Sequence, residues 1–255
     1  MTGEQGWREG LIDSWRYQGL SGFIRLFKES AKLRRNRRRF KAVADPDKVI
    51  WVRPEDIVYK ANINRSLRCS DIKSGDWDLE RLELDRSAKH KAMVQHFKQG
   101  VEWEDTDLFK SIYAVRFARG ESVHDAQSLV EMKLVYQKRY DSMFESLRCH
   151  GFLFKADDKG LPVKLPHVHI GRDGELLYGR DGNHRLAMAK ILAIGQIPCL
   201  VYVRHVLWQE VRDLLATTGE QACRTKYRLW PHPDLADLST LSTLSTQISL
   251  NDGDV

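Results

Sequence analysis

The residues of this chain whose types are best suited to chemistry form one short run, Gly179–Arg185. Arg180 and Arg185 carry bidentate donors that fit phosphate oxygens, and the glycines allow the backbone to approach a ligand closely. His184 can donate to phosphate or transfer a proton near neutral pH, and Asp181 can accept a proton or orient a metal ion. The run therefore predicts a phosphate site, formed by Gly179, Arg180, Gly182, Asn183, His184 and Arg185.

The elements expected around this run place it at the start of a helix. Glu175–Tyr178 is a predicted strand, Leu186–Ile194 is an apolar helix that Gly195 ends at C′, and Ile197–Val203 is strongly β-favouring. The N-terminus of a helix offers unpaired N–H groups and about half a positive charge, which favour an anion. Two plainer interpretations stay open, because such a glycine loop is often only a turn and such an arginine is often only an ion-pair partner.

The rest of the pattern predicts an α/β fold. Short β-favouring segments alternate with helical periodicity along the chain. The predicted elements are a strand at Val49–Val52, a short helix opened by Pro54, a helix at Tyr140–His150 ended by Gly151, a strand at Val168–Ile170, and a hairpin turn at Arg172–Gly174. Residues 60–139 are predicted to be mainly helical, with helices around 89–99 and 123–140.

The segment Asp181–Arg185, the Ala-rich helix after it and the Ile197-Pro198 start of the next strand resemble the core of the ParB/sulfiredoxin superfamily. The helix before this core, which ends at Gly151, and the opening strand and proline turn are similar to that family as well. The resemblance covers residues 49–57 and 140–205 and implies a small mixed sheet with helices, an α/β (α+β) domain. It also implies a bound nucleotide whose phosphates lie at the helix after Arg185. Residues 60–139 match nothing in the family and are interpreted as a helical insertion.

The branches of that superfamily differ in chemistry. Sulfiredoxins need a cysteine where this chain has Asn183, so their activity is not expected. Partition proteins bind CTP and carry a DNA-binding domain for which too few residues follow His205. The segment is closest to a branch that phosphorylates free serine with ADP, which implies Asp181, His184 and an acid such as Glu55 or Asp56 as catalytic residues. The resemblance thus implies ATP, ADP or CTP with Mg²⁺ and phosphotransfer to a small-molecule or glycan-related substrate. A nucleotide-gated DNA- or protein-binding module without turnover is the alternative.

Positive charge is concentrated at the N-terminus. Residues 1–41 hold eleven Lys/Arg and four Asp/Glu, whereas the whole chain has a net charge of only +6. Trp7, Trp15, Phe23 and Phe27 add large apolar side chains at helical spacings. The combination predicts a basic amphipathic arm that contacts an anionic membrane surface, as in a membrane-associated adaptor. A helix packed on the body of the protein and nucleic-acid binding are the alternatives.

Other features of the sequence predict the domain boundaries, the cellular location and two further motifs. The predicted domains are a basic arm at 1–44, the nucleotide-binding domain at 45–237, and a Ser/Thr-rich disordered tail at 238–255. The four cysteines show no paired spacing, and no apolar stretch is long enough for a membrane span, which predicts a reduced cytoplasmic location. Asp76-Trp77-Asp78 is interpreted as a capped turn with a buried Trp, or else a pocket. The pair His167 and His169 is interpreted as a surface pair, or else metal ligands.

Overall fold

The structure is a computed structural model that describes residues 31–61, 63, 71–153, 165–179, 181–218 and 232–238. The predictions for residues 1–30, for Arg180 and for residues 239–255 lie outside these ranges. The chain divides into two packing units. Among the described residues the first unit comprises 31–44, 209–218 and 235–238, and the second comprises the residues from 45 to 208 and 232–234. Leu238, predicted to begin the disordered tail, is instead helical and buried.

The second unit is built on one mixed sheet of seven strands, which confirms the α/β fold class. The strands are β1 (Val49–Val52), β2 (Tyr59–Ala61), β3 (Asp71–Lys73), β4 (Arg81–Glu83), β5 (His167–Ile170), β6 (Leu176–Tyr178) and β7 (Ile197–His205). Their order is β1-β7-β5-β6-β2-β4, and β3 pairs with the end of β7. The central strand β7 is almost entirely buried, as its run of β-branched and apolar residues predicts.

The mainly helical prediction for residues 60–139 is wrong for three short strands. β2 pairs in parallel with β6, β4 pairs with β2, and β3 runs parallel to β7. Each strand has three residues and mixed polarity, so none shows the alternation that identifies a strand in a sequence. This stretch therefore extends the sheet of the second unit and is not a purely helical layer.

The helices of the second unit pack together around a shared apolar core. They are α2 (Ala88–Phe97), α3 (Ala114–Ala118), α4 (Leu129–Tyr136), α5 (Ser142–His150) and α6 (Asn183–Ile191). The chain also forms α1, described over residues 31–39 of the first unit, and α7 (Val206–Thr218). Two π-helical turns, Leu108–Tyr113 and Gln137–Asp141, interrupt this helical layer. Trp103 lies fully buried in the core and stacks on His96 with 3.9 Å between ring centroids. None of the described helices is long and apolar enough to cross a membrane.

Helix α6 begins and ends earlier than its periodicity predicts. It starts at Asn183, directly after Gly182, and its last residue is Ile191. The positive φ of +50° that follows it belongs to Ala193, so the prediction of Gly195 at C′ is wrong. The earlier start places Asn183, His184 and Arg185 inside the first helical turn.

Two buried carboxylates of the second unit each pair with an arginine. Asp234 accepts hydrogen bonds from the Arg204 guanidinium at 2.9 and 2.6 Å and from Trp208 Nε1 at 3.0 Å. Asp78 is fully buried and accepts from the Arg172 guanidinium, which is why the pKa of Arg172 is raised. Trp77 of this loop is buried, as the sequence predicts.

Candidate phosphate-binding site

The predicted site lies where two helices begin side by side. α2 starts after Ser87, and α6 starts after Gly182. The Asn183 side-chain amide donates to Ser87 Oγ at 3.3 Å, and neither helix has a side-chain cap on its own first turn. Among the described residues no side chain accepts from the first-turn N–H groups of either helix, so these groups can donate to an external acceptor, and both helix dipoles favour negative charge there.

The two glycines of the loop have a packing role that the sequence did not reveal. Gly182 has a φ of +90°, and a Cβ there would lie 2.6 Å from the Cα of Pro166. A Cβ at Gly179 would lie 2.8 Å from the carbonyl oxygen of His167, to which the Gly179 amide donates at 2.7 Å. The loop is thus pressed against the start of β5, and this approach already accounts for both glycines.

His184 lies on a floor of tyrosine rings. Its ring centroid is 4.2 Å from that of Tyr140 and 6.3 Å from that of Tyr136, to which it is perpendicular. The hydroxyls of Tyr136 and Tyr113 are 2.6 Å apart and buried, and burial raises the pKa of both phenols. The tyrosine rings that contact His184 are therefore uncharged.

Positive charges converge on His184. Burial and the nearby basic residues, above all Lys89 and Arg139 and then His124 and Arg185, lower its pKa to about 3. The imidazole is therefore neutral at pH 7 in the free protein. This disfavours the predicted transfer of a proton near neutral pH and favours a hydrogen bond from the neutral ring.

Arg185 is the most buried of the three full cations Lys89, Arg139 and Arg185. It is half buried, and burial together with Arg139 lowers its pKa, while Asp181 acts in the opposite direction. Within the described part of the chain, no carboxylate lies within ion-pair distance of Lys89, Arg139 or Arg185. A group of cations held together without carboxylate partners has a strong attraction for an anion.

One π-helical turn supplies both the floor and a cation. Gln137–Asp141 carries Arg139 and Tyr140 between α4 and α5. The Arg139 guanidinium lies 5.5 Å from the centre of the Tyr140 ring, and that ring lies against His184. Single π-helical turns occur often at functional sites, so this irregularity agrees with the placement of the site.

Two buried polar atoms at the site lack a hydrogen-bond partner among the described residues. They are the Nε2 atom of His184 and the Oδ1 atom of Asn183. An unsatisfied buried polar atom costs about 1–3 kcal/mol. Such atoms are uncommon in folded proteins, and here both belong to the first turn of α6.

The predicted acidic residues are placed differently from one another. Asp181 is exposed, and its carboxylate lies 3.6 Å from His167 Nδ1 and near Arg185. Glu55 is exposed in the 3-10 turn Pro54–Asp56, a turn that packs against α6. Asp56 pairs instead with Arg53 at 2.6 Å. No cluster of three or more metal-ligating side chains occurs among the described residues.

The histidine pair of β5 is not a surface pair. His169 is only 2% exposed, and burial lowers its pKa to about 4. The His167 ring stacks on Tyr202 with 4.7 Å between centroids. The regular alternation of the strand is broken by a register shift between Val168 and His169. Burial of His169 comes from the central position of β5 in the sheet, which the sequence alone does not show.

Sequence reasoning missed three of the basic residues that surround His184. Lys89 comes from the first turn of α2, His124 from a bend with a positive φ of +50°, and Arg139 from the π-helical turn. All three lie in or beside the stretch that the sequence presented as an insertion, so no local motif connects them with Arg185. The chain was compared with protein-family models, with curated proteins and with solved structures, and none of these matches it.

Proposed function

We propose that the protein binds the phosphate groups of a nucleotide where α2 and α6 begin. One observation carries this proposal: Lys89, Arg139 and Arg185 converge on the neutral His184 without a carboxylate partner among the described residues. An anion that enters this group replaces mutual repulsion with attraction. The resemblance to the ParB/sulfiredoxin superfamily, which was drawn from the residues around Arg185, supports a nucleotide as the source of that anion.

Each residue has a distinct part in binding. The N–H groups at the start of both helices donate to phosphate oxygens, as at other helix N-termini that bind phosphate. Arg185 is held by its half-buried position and supplies a bidentate contact, whereas the exposed Lys89 and Arg139 supply charge at the rim. The buried Nε2 atom of His184 gains a hydrogen-bonding partner if the anion or an accompanying water reaches it.

The described side chains fit a Mg²⁺ ion that is held mainly by the nucleotide. Mg²⁺ is commonly bound through one or two carboxylates together with phosphate oxygens and water. Asp181, exposed beside Arg185, is a carboxylate in the position to contribute one such ligand. When bound, the ion would neutralise charge that develops on the phosphates.

Calorimetric titration of the full chain with ATP, ADP and CTP, each with Mg²⁺, tests the proposal. We expect binding of at least one of these nucleotides, and we expect Arg139→Gln to weaken it about tenfold or more, because a charge-assisted contact contributes roughly 1.5–3 kcal/mol. Arg148→Gln is the matched control, because Arg148 is an exposed helical arginine that pairs with Glu145.

Two results would contradict the proposal. One is the absence of heat and of thermal stabilisation with every nucleotide at millimolar concentration. The other is equal weakening by Arg139→Gln and by Arg148→Gln, which would mean that only the total charge of the protein matters.

A second, more demanding function is phosphoryl transfer. The observation that favours it is the exposed carboxylate of Asp181 beside the cation that would hold the transferred group. In this reaction Asp181 accepts the proton of an acceptor hydroxyl while that oxygen forms a bond to the terminal phosphorus and the bond to the leaving phosphate breaks. Asp181→Asn should then abolish formation of phosphorylated product from a panel of small hydroxyl compounds, while binding of the nucleotide without Mg²⁺ is retained. Product formed at an undiminished rate would assign the base to another residue, such as Glu55.

A further inference from the structure

The first packing unit holds a helix whose exposed surface is almost entirely cationic. The described part of this helix, α1, covers residues 31–39. Leu33, Asn36 and Phe40 are buried, so the apolar side of α1 faces inward. The six basic side chains that are exposed on and just after α1 are Arg34, Arg35, Arg37, Arg38, Arg39 and Lys41.

The segment that follows α1 is fixed by side chains of α7. The backbone carbonyl of Ala42 accepts hydrogen bonds from the side chains of Gln209 at 2.9 Å and Arg212 at 3.1 Å. The Ala42 amide donates to Asp213 Oδ1 at 2.8 Å. These buried bonds hold the end of α1 in one place, so its arginines are presented from a fixed backbone.

Acidic side chains are few among the described residues of this unit, and two of the three are bonded elsewhere. The described part of the unit has eight Lys/Arg and three Asp/Glu. Asp213 is bonded to the Ala42 amide and to Gln209, and Asp237 pairs with the buried Arg212 at 2.8 Å. No ion pair joins Arg34, Arg35 or Arg38 to a carboxylate in the described ranges. The charges of Arg34, Arg35 and Arg38 are therefore not paired with a described carboxylate and can act on an external partner.

We infer that the α1 surface binds the phosphate backbone of duplex DNA without reading its sequence. Arg34 and Arg38 are four residues apart on one face of the helix, and Arg35 and Arg39 repeat that spacing beside them. Guanidinium groups make bidentate contacts with phosphate, and a helix about 10–12 Å wide matches a major groove of about 12 Å. The inference does not depend on the proposed nucleotide site.

The orientation of α1 favours DNA over a lipid surface as the partner of this helix. An amphipathic helix binds a bilayer by inserting its apolar face between the lipids, with the charges at the edge. Leu33 of α1 and Phe40, which directly follows α1, are large apolar side chains that are buried in the protein. What α1 offers outward is charge with hydrogen-bond geometry, which suits phosphates arranged in a line.

Fluorescence anisotropy of the full chain with a short labelled DNA duplex, measured at several salt concentrations, tests this inference. The triple variant Arg34→Gln, Arg35→Gln, Arg38→Gln should bind roughly 100-fold more weakly at 0.1 M salt. It should also reduce the slope of log affinity against log salt by about 2.7, because each lost phosphate contact removes about 0.9. The matching Arg→Lys triple variant should keep most of the slope, because it retains the charge.

The control variant removes the same charge from elsewhere on the protein. Arg53→Gln, Arg86→Gln, Arg148→Gln alters three exposed arginines that each pair with a nearby carboxylate, and it should leave the slope unchanged. Equal slopes for the α1 triple variant and the wild type, with equal thermal stability, would overturn the inference. Competition by phosphatidylserine vesicles that is as strong as competition by unlabelled duplex of equal charge would also overturn it and would favour a membrane partner.

Discussion

Arg204 and Arg185 lie in the same packing unit, and their surroundings are opposite. The guanidinium of Arg204 is buried and donates two hydrogen bonds to Asp234. Arg185 is half buried, and after burial the largest effects on its pKa come from the cation Arg139, which lowers it, and from the exposed Asp181, which raises it. The chain therefore provides a buried carboxylate where an arginine holds the fold together. It provides none among the described residues where we propose that a ligand supplies the negative charge.

The same contrast separates Arg172 from His184. Arg172 is surrounded by Asp76 and Asp78, which raise its pKa, whereas His184 is surrounded by cations that lower its pKa. The sign of the neighbouring charges is therefore more informative here than the residue type. Substitutions that remove one member of each group should separate stability from binding.

The largest expected effect comes from Asp234→Ala. Removing this carboxylate leaves the guanidinium of Arg204 buried without its partner and deprives Trp208 of an acceptor. We expect a loss of about 3–5 kcal/mol in the free energy of unfolding, measured by urea denaturation. Nucleotide affinity of the molecules that remain folded should be unchanged. A loss below about 1 kcal/mol would mean that Asp234 is not the partner that stabilises this region.

Arg185→Ala should show the opposite behaviour. It removes a cation that is repelled by Arg139, so the free energy of unfolding should stay the same or rise slightly. Nucleotide binding, measured by calorimetry, should weaken by roughly 1.5–3 kcal/mol because a charge-assisted phosphate contact is lost. Equal affinity for variant and wild type, with an intact fold, would remove Arg185 from the site.

Gly182→Ala separates packing from ligand approach. The φ of +90° and the short distance to Pro166 predict a loss of about 2 kcal/mol in the free energy of unfolding. Gly195→Ala is the control, because a Cβ there meets nothing within 4 Å. If thermal denaturation shows equal stability for both variants, the loop is not pressed against β5 as described.

Acidification should destabilise the protein through its buried histidines. The pKa values of His169 and His184 are lowered to about 4 and about 3, so the unfolded chain takes up protons first as the pH falls below about 6.5. Stability is therefore complete above about pH 6.5 and declines toward pH 4, by roughly 1 kcal/mol for each histidine at pH 5.5. Urea denaturation at pH 6.5 and at pH 5.5 measures this decline. His184→Gln should lessen it, and a decline of the same size in that variant would assign it to other groups.

A saturating nucleotide should distinguish the two histidines. The negative charge of its phosphates would raise the pKa of His184. The stability that His184 loses at pH 5.5 would then be recovered. The contribution of His169 should persist, because His169 lies in the sheet beside Trp77 and Tyr202. Denaturation curves at pH 5.5 with and without nucleotide measure the difference.

The parts of the fold that could be predicted from the sequence are those with strong local signals. β7 and α6 have clear composition and periodicity, and the start of α6 after Gly182 is marked by the glycine loop. The strands β2 to β4 could not be predicted, because three-residue strands of mixed polarity carry no period and exist only through their neighbours in the sheet.

The candidate site was predictable only on the side of α6. Arg185 and His184 belong to one motif, so their proximity follows from adjacency in the chain. Lys89 and Arg139 reach the same place through the packing of α2 and through a π-helical turn, neither of which leaves a pattern in the sequence. The lowered pKa of His184 could not be predicted either, because it results from burial and from these distant charges.

The π-helical turn Gln137–Asp141 also sets the rotation of α5 relative to α4 about the helix axis, between Leu129 and His150. An α-helix advances by about 100° per residue, so losing or gaining one residue in this turn would rotate α5 by that angle relative to α4. Leu147 would then leave the apolar core, or Tyr140 would leave the ring of His184. Chain length within these five residues therefore matters as much as their side chains, and a relative with the same arginines but a different spacing here would not form the same site.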